Sequence, residues 1–248
     1  MNEHLSQIDT LWSVIRRAHD SDTNAESAQR QLLERYSGAI RRYLHAKLRD
    51  PAAADDVYQD FALKFVRGDF KNVTPEKGRF RTFIRTVLFR MVADHFRGKK
   101  RDKAVQLDEQ VFEPASTDDQ EARDEEFVEV WRDEMLKNAW DGLWELEKSS
   151  GKRWFTVLQL RVKNPEMRSA DLAEALSSEL DKPISTANVR VLLHRAREKF
   201  SGLLIDTVAE SLNSRSYHDV EEELADLRLL EFCQASLEQL KAEQKSEE

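Results

Sequence analysis

Apolar residues recur every three or four positions along most of this chain, the spacing of a single buried stripe on an α-helix. Leu5 to Ala18 reads as a short amphipathic helix, followed by the polar break DSDTN. From Ala25 to Leu48 the stripe is Leu32, Leu33, Tyr36, Ile40, Tyr43, Leu44 and Leu48. Asp50-Pro51 ends that run, and Pro51 suits the first position of a second helix, from about Ala52 to Arg67. GDFKNVTPEKG reads as a loop. Gly78–Arg101 is a further helix, with Phe80, Ile84, Val87, Leu88 and Met91 on one face. Residues 104–122 carry turn residues and no period, so they read as a linker. Helix returns near Arg123 and runs toward Leu146, with Val128, Trp131, Met135, Ala139 and Leu143 as its stripe. After the Ser-Ser-Gly break at 149–151, Trp154 to Val162 forms a short helix closed by Asn164-Pro165.

Two helices close together follow in residues 169–200. Ser169 is a candidate cap for the first, with Asp171 in its opening turn. Pro183, Ser185 and Thr186 announce the second, with Ser185 the better cap. Val189, Leu192, Leu193, Ala196 and Phe200 face inward; Ala187, Asn188, Arg190, Val191, His194 and Arg195 then face outward. Small and polar residues at the start, with Arg and His further along, fit a helix-turn-helix entering a major groove. An ordinary helical hairpin is the other reading. Beyond it, Val220, Leu224, Leu227, Leu230 and Leu237 predict one amphipathic helix from Tyr217 to Leu240, strongly acidic at Glu221, Glu222, Glu223 and Asp226. Charge suggests that it folds back on the basic unit and limits DNA binding. A purely stabilising extension is the alternative.

Composition agrees with helices. Charged residues make up 35% and there are only seven Gly and five Pro, so an all-α fold is expected. The single Cys excludes a disulfide framework within the chain. No apolar run approaches the roughly 18 residues of a membrane span, and the N-terminus lacks a signal-peptide core. A cytoplasmic protein without membrane contact is expected. The net charge of −8 hides a sharp sorting. Lys77 to Lys103 holds ten basic and two acidic residues; Asp108 to Glu134 holds two and twelve. Gly151 to Leu204 holds ten and six; Ile205 to Glu248 holds four and twelve. Two basic modules separated by acid suggest two contacts to nucleic acid. The expected organisation is two small helical domains joined by a flexible acidic linker: an arm over 1–24, a first domain over 25–103, a linker over 104–122, a second domain over 123–204 and an acidic extension over 205–248.

The chemistry concentrates on the helix after Gly78. Opposite its apolar face stand Arg79, Thr82, Thr86, Arg90, Ala93 and Arg97, ending in Lys99, Lys100 and Arg101. Arg81 and Arg85 add to the charge. Phe83, Phe89 and Phe96 lie on its flanks, where an aromatic ring either stacks an unpaired base or packs on a neighbouring helix. Asp55, Asp56, Gln59 and Asp60 make an acidic patch on this basic module. A helix dipole accounts for Asp55 and Asp56 but not for Asp60. The six His are scattered, and no metal-ligand, phosphate-loop or nucleophile pattern occurs. No cofactor, no metal and no catalytic activity are expected.

Several strings then fall into a known order. Asp55-Asp56-Val57-Tyr58-Gln59-Asp60, Phe80-Arg81-Thr82-Phe83-Ile84 and Asp94-His95-Phe96-Arg97 precede Val189-Arg190-Val191-Leu192-Leu193-His194-Arg195-Ala196-Arg197. Over about residues 25–203 the chain resembles an RNA polymerase sigma factor of the extracytoplasmic-function group. The resemblance implies binding of core RNA polymerase, recognition and melting of the −10 promoter element by the first domain, and reading of the −35 element by the second. It places Asp55, Asp56, Gln59 and Asp60 against the polymerase clamp. It gives Arg79, Arg81, Phe83, Arg85, Phe89, Arg90, Arg97, Lys99, Lys100 and Arg101 to the −10 region. It gives Ser185, Thr186, Asn188, Arg190, His194, Arg195 and Arg197 to the −35 region. An anti-sigma factor or other regulator is a further partner of such proteins. The chain departs from the pattern where Phe89-Arg90 replaces the usual Arg-Asn, and in its long Ser177–Pro183 turn. The acidic segment after Leu204 lies outside the minimal pattern. A helix-turn-helix regulator acting without polymerase, and an unrecognised nucleic-acid-processing enzyme, are the alternatives. The basic helix with flanking aromatics favours the sigma factor over the first, and the lack of a catalytic constellation weighs against the second.

Overall fold

Asp50 fixes where one helix stops and the next begins. Its carboxylate accepts the N–H groups of Ala52 (3.1 Å) and Ala53 (3.4 Å), while Pro51 opens the new helix without a donor to satisfy. The computed structural model describes residues 23–70, 79–103, 117–212 and 214–247. The expected helix at Leu5 to Ala18 lies outside them, as do 71–78 and 104–116. Among the described residues the fold is all-α, with helices and no strand: α1 (Thr23–Leu48), α2 (Pro51–Arg67), α3 (Phe80–Lys103), α4 (Thr117–Ser150), α5 (Trp154–Lys163), α6 (Ser169–Leu180), α7 (Thr186–Leu212), α8 (Tyr217–Asp226) and α9 (Leu230–Glu247). They form two units: one runs through Glu134 with Glu210–Ser214 added, the other takes Met135–Ala209 and Arg215–Glu248. The division falls inside α4, downstream of the segment 104–122 that the sequence marks as a linker. α4 begins at Thr117 rather than near Arg123, because TDDQEARDEE holds good helix formers although it has no apolar stripe.

The first unit is built on aromatic rings. Tyr36, Tyr43, Phe61, Phe80, Phe127 and Trp131 are all fully buried. Tyr36 stacks on Trp131 at 4.8 Å between centroids, and Tyr43 meets Phe127 edge-on at 5.1 Å. Such pairs contribute about 0.5–1.5 kcal/mol each beyond the area they bury. The stripe of α4 therefore starts at Phe127, and Val128 is only half-buried. Gly68 ends α2 in the left-handed region (φ 74°) and turns Phe70 back toward Phe61 and Phe83. Glu134 is buried beside α1, where Arg42 donates to it at 2.7 Å. Gly38 makes room for this carboxylate: a Cβ there would lie 2.6 Å from Glu134 Oε2.

The second unit has an aliphatic core with Trp154 at its edge. Leu143, Val157, Leu158, Leu172, Leu176, Val189 and Leu193 meet there, drawn from α4 to α7. Gly151 (φ 68°) stops α4. The buried Glu147 then reaches forward and accepts the N–H of Thr156 at 2.9 Å, capping α5 from outside its own sequence. Ser169 does not cap α6. It is the first helical residue, and Asp171 instead accepts the N–H of Arg168 at 3.2 Å. The turn between α6 and α7 is Asp181–Ser185, shorter than Ser177–Pro183 had suggested at its start, because α6 runs on to Leu180. Ser177 fastens it by accepting the N–H of Ile184 at 2.9 Å.

Past Leu204 the structure departs from the sequence reading. α7 continues to Leu212, burying Leu204, Ile205 and Val208 in the same helix that carries Arg190. The predicted helix Tyr217 to Leu240 is two helices. Arg228 adopts φ 57° and the chain turns at Leu227–Leu229, with Leu227 and Leu229 both buried. Neither Gly nor Pro marks this turn. Buried Ser201 of α7 and Ser236 of α9 share a hydrogen bond, and Arg215 pairs with Asp206 at 2.6 Å.

Candidate nucleic-acid interface

α3 presents its faces as the spacing predicts. Phe80, Ile84, Leu88 and Met91 are buried, and Val87 is half-buried. Arg90, Arg97 and Lys99 are exposed. Arg79, Arg81 and Arg85 are half-buried and already engaged within the chain. Arg97 pairs with Asp94 at 2.7 Å, and Lys99 approaches Asp50 at 3.5 Å. The Asp50 carboxyl is held below its ordinary value, mainly by the Ala53 N–H and also by Lys99. The side chains of Lys100 and Arg101 lie outside the described residues. Of the flanking aromatics, Phe83 packs edge-on against Phe70 at 5.4 Å and lies 6.1 Å from Phe80, so its ring serves the core. Phe89 and Phe96 remain substantially exposed.

On α2 the acidic patch is not uniform. Asp55 is half-buried and accepts from Arg41, whose guanidinium also lies 3.8 Å over the Tyr58 ring. It is thus tied to α1. Asp56, Gln59 and Asp60 are exposed, with Asp60 accepting from Lys64 at 2.8 Å. Continuing the same helical strip are Leu63 and Val66, nearly half exposed. The sequence reading missed these two. Both lie in an apolar run whose other members, Phe61 and Phe65, are buried, and periodicity alone did not separate them.

The start of α7 is the other basic face. Ser185 accepts the N–H of Asn188 at 3.2 Å and caps the helix. Asn188, Arg190, His194, Arg195 and Arg197 are exposed, together with Ala187 and Val191; Thr186 is half-buried. His194 lies 3.3 Å from Glu198. A hydrogen bond from Ser201 and an ion pair from Asp206, both beyond this face, join α7 to the last segments. The acidic extension folds into the same unit against the later part of α7 and leaves Asn188, Arg190, His194 and Arg195 exposed. Glu223, one of its acids, is fully buried. Among the described residues, no group of three or more His, Cys, Asp or Glu is placed to hold a metal ion. No described helix is long and apolar enough to cross a membrane.

These helices decide the comparison with known proteins. Residues 32–102 match Sigma-70 region 2. The matched segment begins within α1, covers α2 and ends near the close of α3, so it contains both the acidic strip and the first basic face. The match covers this one region and leaves the rest of the chain unmatched. No curated protein and no solved structure matches the chain.

Proposed function

We propose that the chain is a sigma factor of the extracytoplasmic-function type, acting in the cytoplasm with core RNA polymerase and promoter DNA. The observation that carries this reading is the region 2 match, lying on the helices that expose an acidic-apolar strip and a basic face. Asp56, Gln59 and Asp60 dock on the polymerase, with Leu63 and Val66 completing the contact. Asp55 orients Arg41 behind them. The −10 region is held by Arg90, Arg97, Lys99, Lys100 and Arg101 on phosphates, with Arg79, Arg81 and Arg85 acting from their half-buried positions. Phe89 is the aromatic best exposed to meet an unpaired base, and Phe83 supports the helix from behind. The −35 element is read by α7, where Ser185 and Thr186 open the helix and Asn188, Arg190, His194, Arg195 and Arg197 face the groove. Functional division follows residues 25–103 and 123–204, with 1–24, 104–122 and 205–248 as arm, link and extension. An anti-sigma factor or other regulator acts on the same surfaces.

The test is transcription from a promoter library with the purified full chain, with and without bacterial core polymerase. Promoter-specific transcripts should need both components. Asp56→Lys with Leu63→Asp should abolish core binding while DNA selection by α7 persists. Undiminished core affinity in that double variant removes the docking assignment. Sequence-selective DNA binding that core polymerase neither strengthens nor uses would favour a regulator acting alone.

A further inference from the structure

The outward face at the start of α7 is largely polar, with Ala187 near its beginning and Val191 at its centre. Val191 is 50% exposed, and on α7 it is the large apolar side chain left most open to solvent. Helical spacing surrounds it with Ala187 and Asn188 one turn before and His194 and Arg195 one turn after. All four are exposed. Val191 is thus a branched apolar group beside polar and cationic ones and outside the core beneath, which Val189, Leu193 and Ala196 help to fill.

Resting on the reading of α7 as the −35 helix, we infer that Val191 is a specificity residue contacting the C5-methyl group of a thymine in the major groove. Each base pair shows a different pattern there, and the thymine methyl is its apolar feature. An apolar side chain set against a base nitrogen or oxygen would leave that atom desolvated without a partner. A β-branched side chain in a helix also holds essentially one χ1 rotamer, so the two methyls of Val191 stand in fixed positions and lose little freedom on contact. The cations around it bring the helix to phosphate, and Asn188 and Arg195 bond to base edges on either side.

The experiment uses the full chain with bacterial core polymerase. A random duplex pool is first enriched for binding, and each thymine of the upstream element is then replaced singly by deoxyuridine, which lacks only the methyl. At one position the replacement should weaken wild-type binding about fourfold, the effect of one methyl leaving an apolar contact. Val191→Ala should bind the unmodified site about as weakly and be indifferent to the same replacement. Val191→Thr, which keeps the branched shape and one methyl, should fall between. Insensitivity at every thymine, while Arg190→Ala still weakens binding, overturns the methyl contact and leaves the DNA-reading role intact. Additive losses from Val191→Ala and deoxyuridine assign the methyl to another residue and also overturn it. A pool showing no enrichment removes the DNA-reading role and this inference together.

Discussion

The two basic faces differ in how far they are already occupied by their own protein. On α3, three arginines are half-buried and engaged, Lys99 leans on the cap of α2, Arg97 holds Asp94, and Phe83 belongs to the core. On α7, the outward residues from Ala187 to Arg195 stand in solvent above a separate aliphatic core. A face fixed by internal contacts presents charge in a set arrangement, which suits a polyanion recognised by shape and position. A face of open side chains suits readout at individual base edges. Basic helices can thus differ in how tightly each is bound into its unit.

This contrast can be broken in several places. The largest expected effect lies beneath α3. Trp131→Ala should cost about 3–5 kcal/mol of stability, since it empties the stack with Tyr36, Phe80 and Phe127. The check is the denaturant midpoint by circular dichroism. Next, Arg190→Ala should cost about 1–3 kcal/mol of DNA binding and change the preferred base at one position. It should leave stability within about 0.5 kcal/mol of wild type, because the residue touches no core. A uniform loss across sequences would mark Arg190 as a phosphate contact instead. Third, Arg97→Ala should weaken binding to all sequences alike and lower the salt slope by about one. A change of sequence preference there would erase the difference between the faces.

Two smaller effects sharpen it. The Cys233 thiol, pushed to about 12 by burial, should resist a thiol reagent at pH 8 until the α8–α9 region opens. Fast labelling of the native protein would contradict the packing there. The smallest effect concerns Asp50. Its folded carboxyl titrates below the unfolded value, so its stabilisation is present above about pH 3.8 and is lost as pH falls through the folded value. Wild type should exceed Asp50→Asn in melting temperature at neutral pH, and the gap should close in acid. A gap that persists in acid would mean the carboxylate charge is not the cause.

What was legible in the sequence followed from periodicity. The buried stripes of α1, α3 and α7 were readable because each element packs one face on one core. Asp50-Pro51 and Ser185 were readable because capping is local chemistry. Contacts made across the chain were not legible. Phe83 sits on the flank of an ideal wheel, yet Phe70 arrives from the end of α2 to cover it. The tie from Asp55 to Arg41 was invisible because Arg41 belongs to another helix. The turn at Arg228 carries no Gly or Pro and is held by two buried leucines. Gly38 gave no hint of its role, since the carboxylate it accommodates lies far along the chain at Glu134. The course of α7 past Leu204 was not legible because charge changes sign there while the helix does not stop.

That continuity has a consequence for insertions and deletions. α7 is 27 residues long, about 40 Å, and carries the exposed basic residues at one end and the Ser201, Leu204 and Val208 contacts at the other. Both ends share one rotational phase. Adding a single residue between Arg197 and Lys199 would turn the first end about 100° relative to the second and shift it about 1.5 Å. Four added residues would bring it back to within about 40°. Length changes tolerated in this stretch should therefore come in steps of three or four, since the contacts at the far end set the direction in which the first end faces.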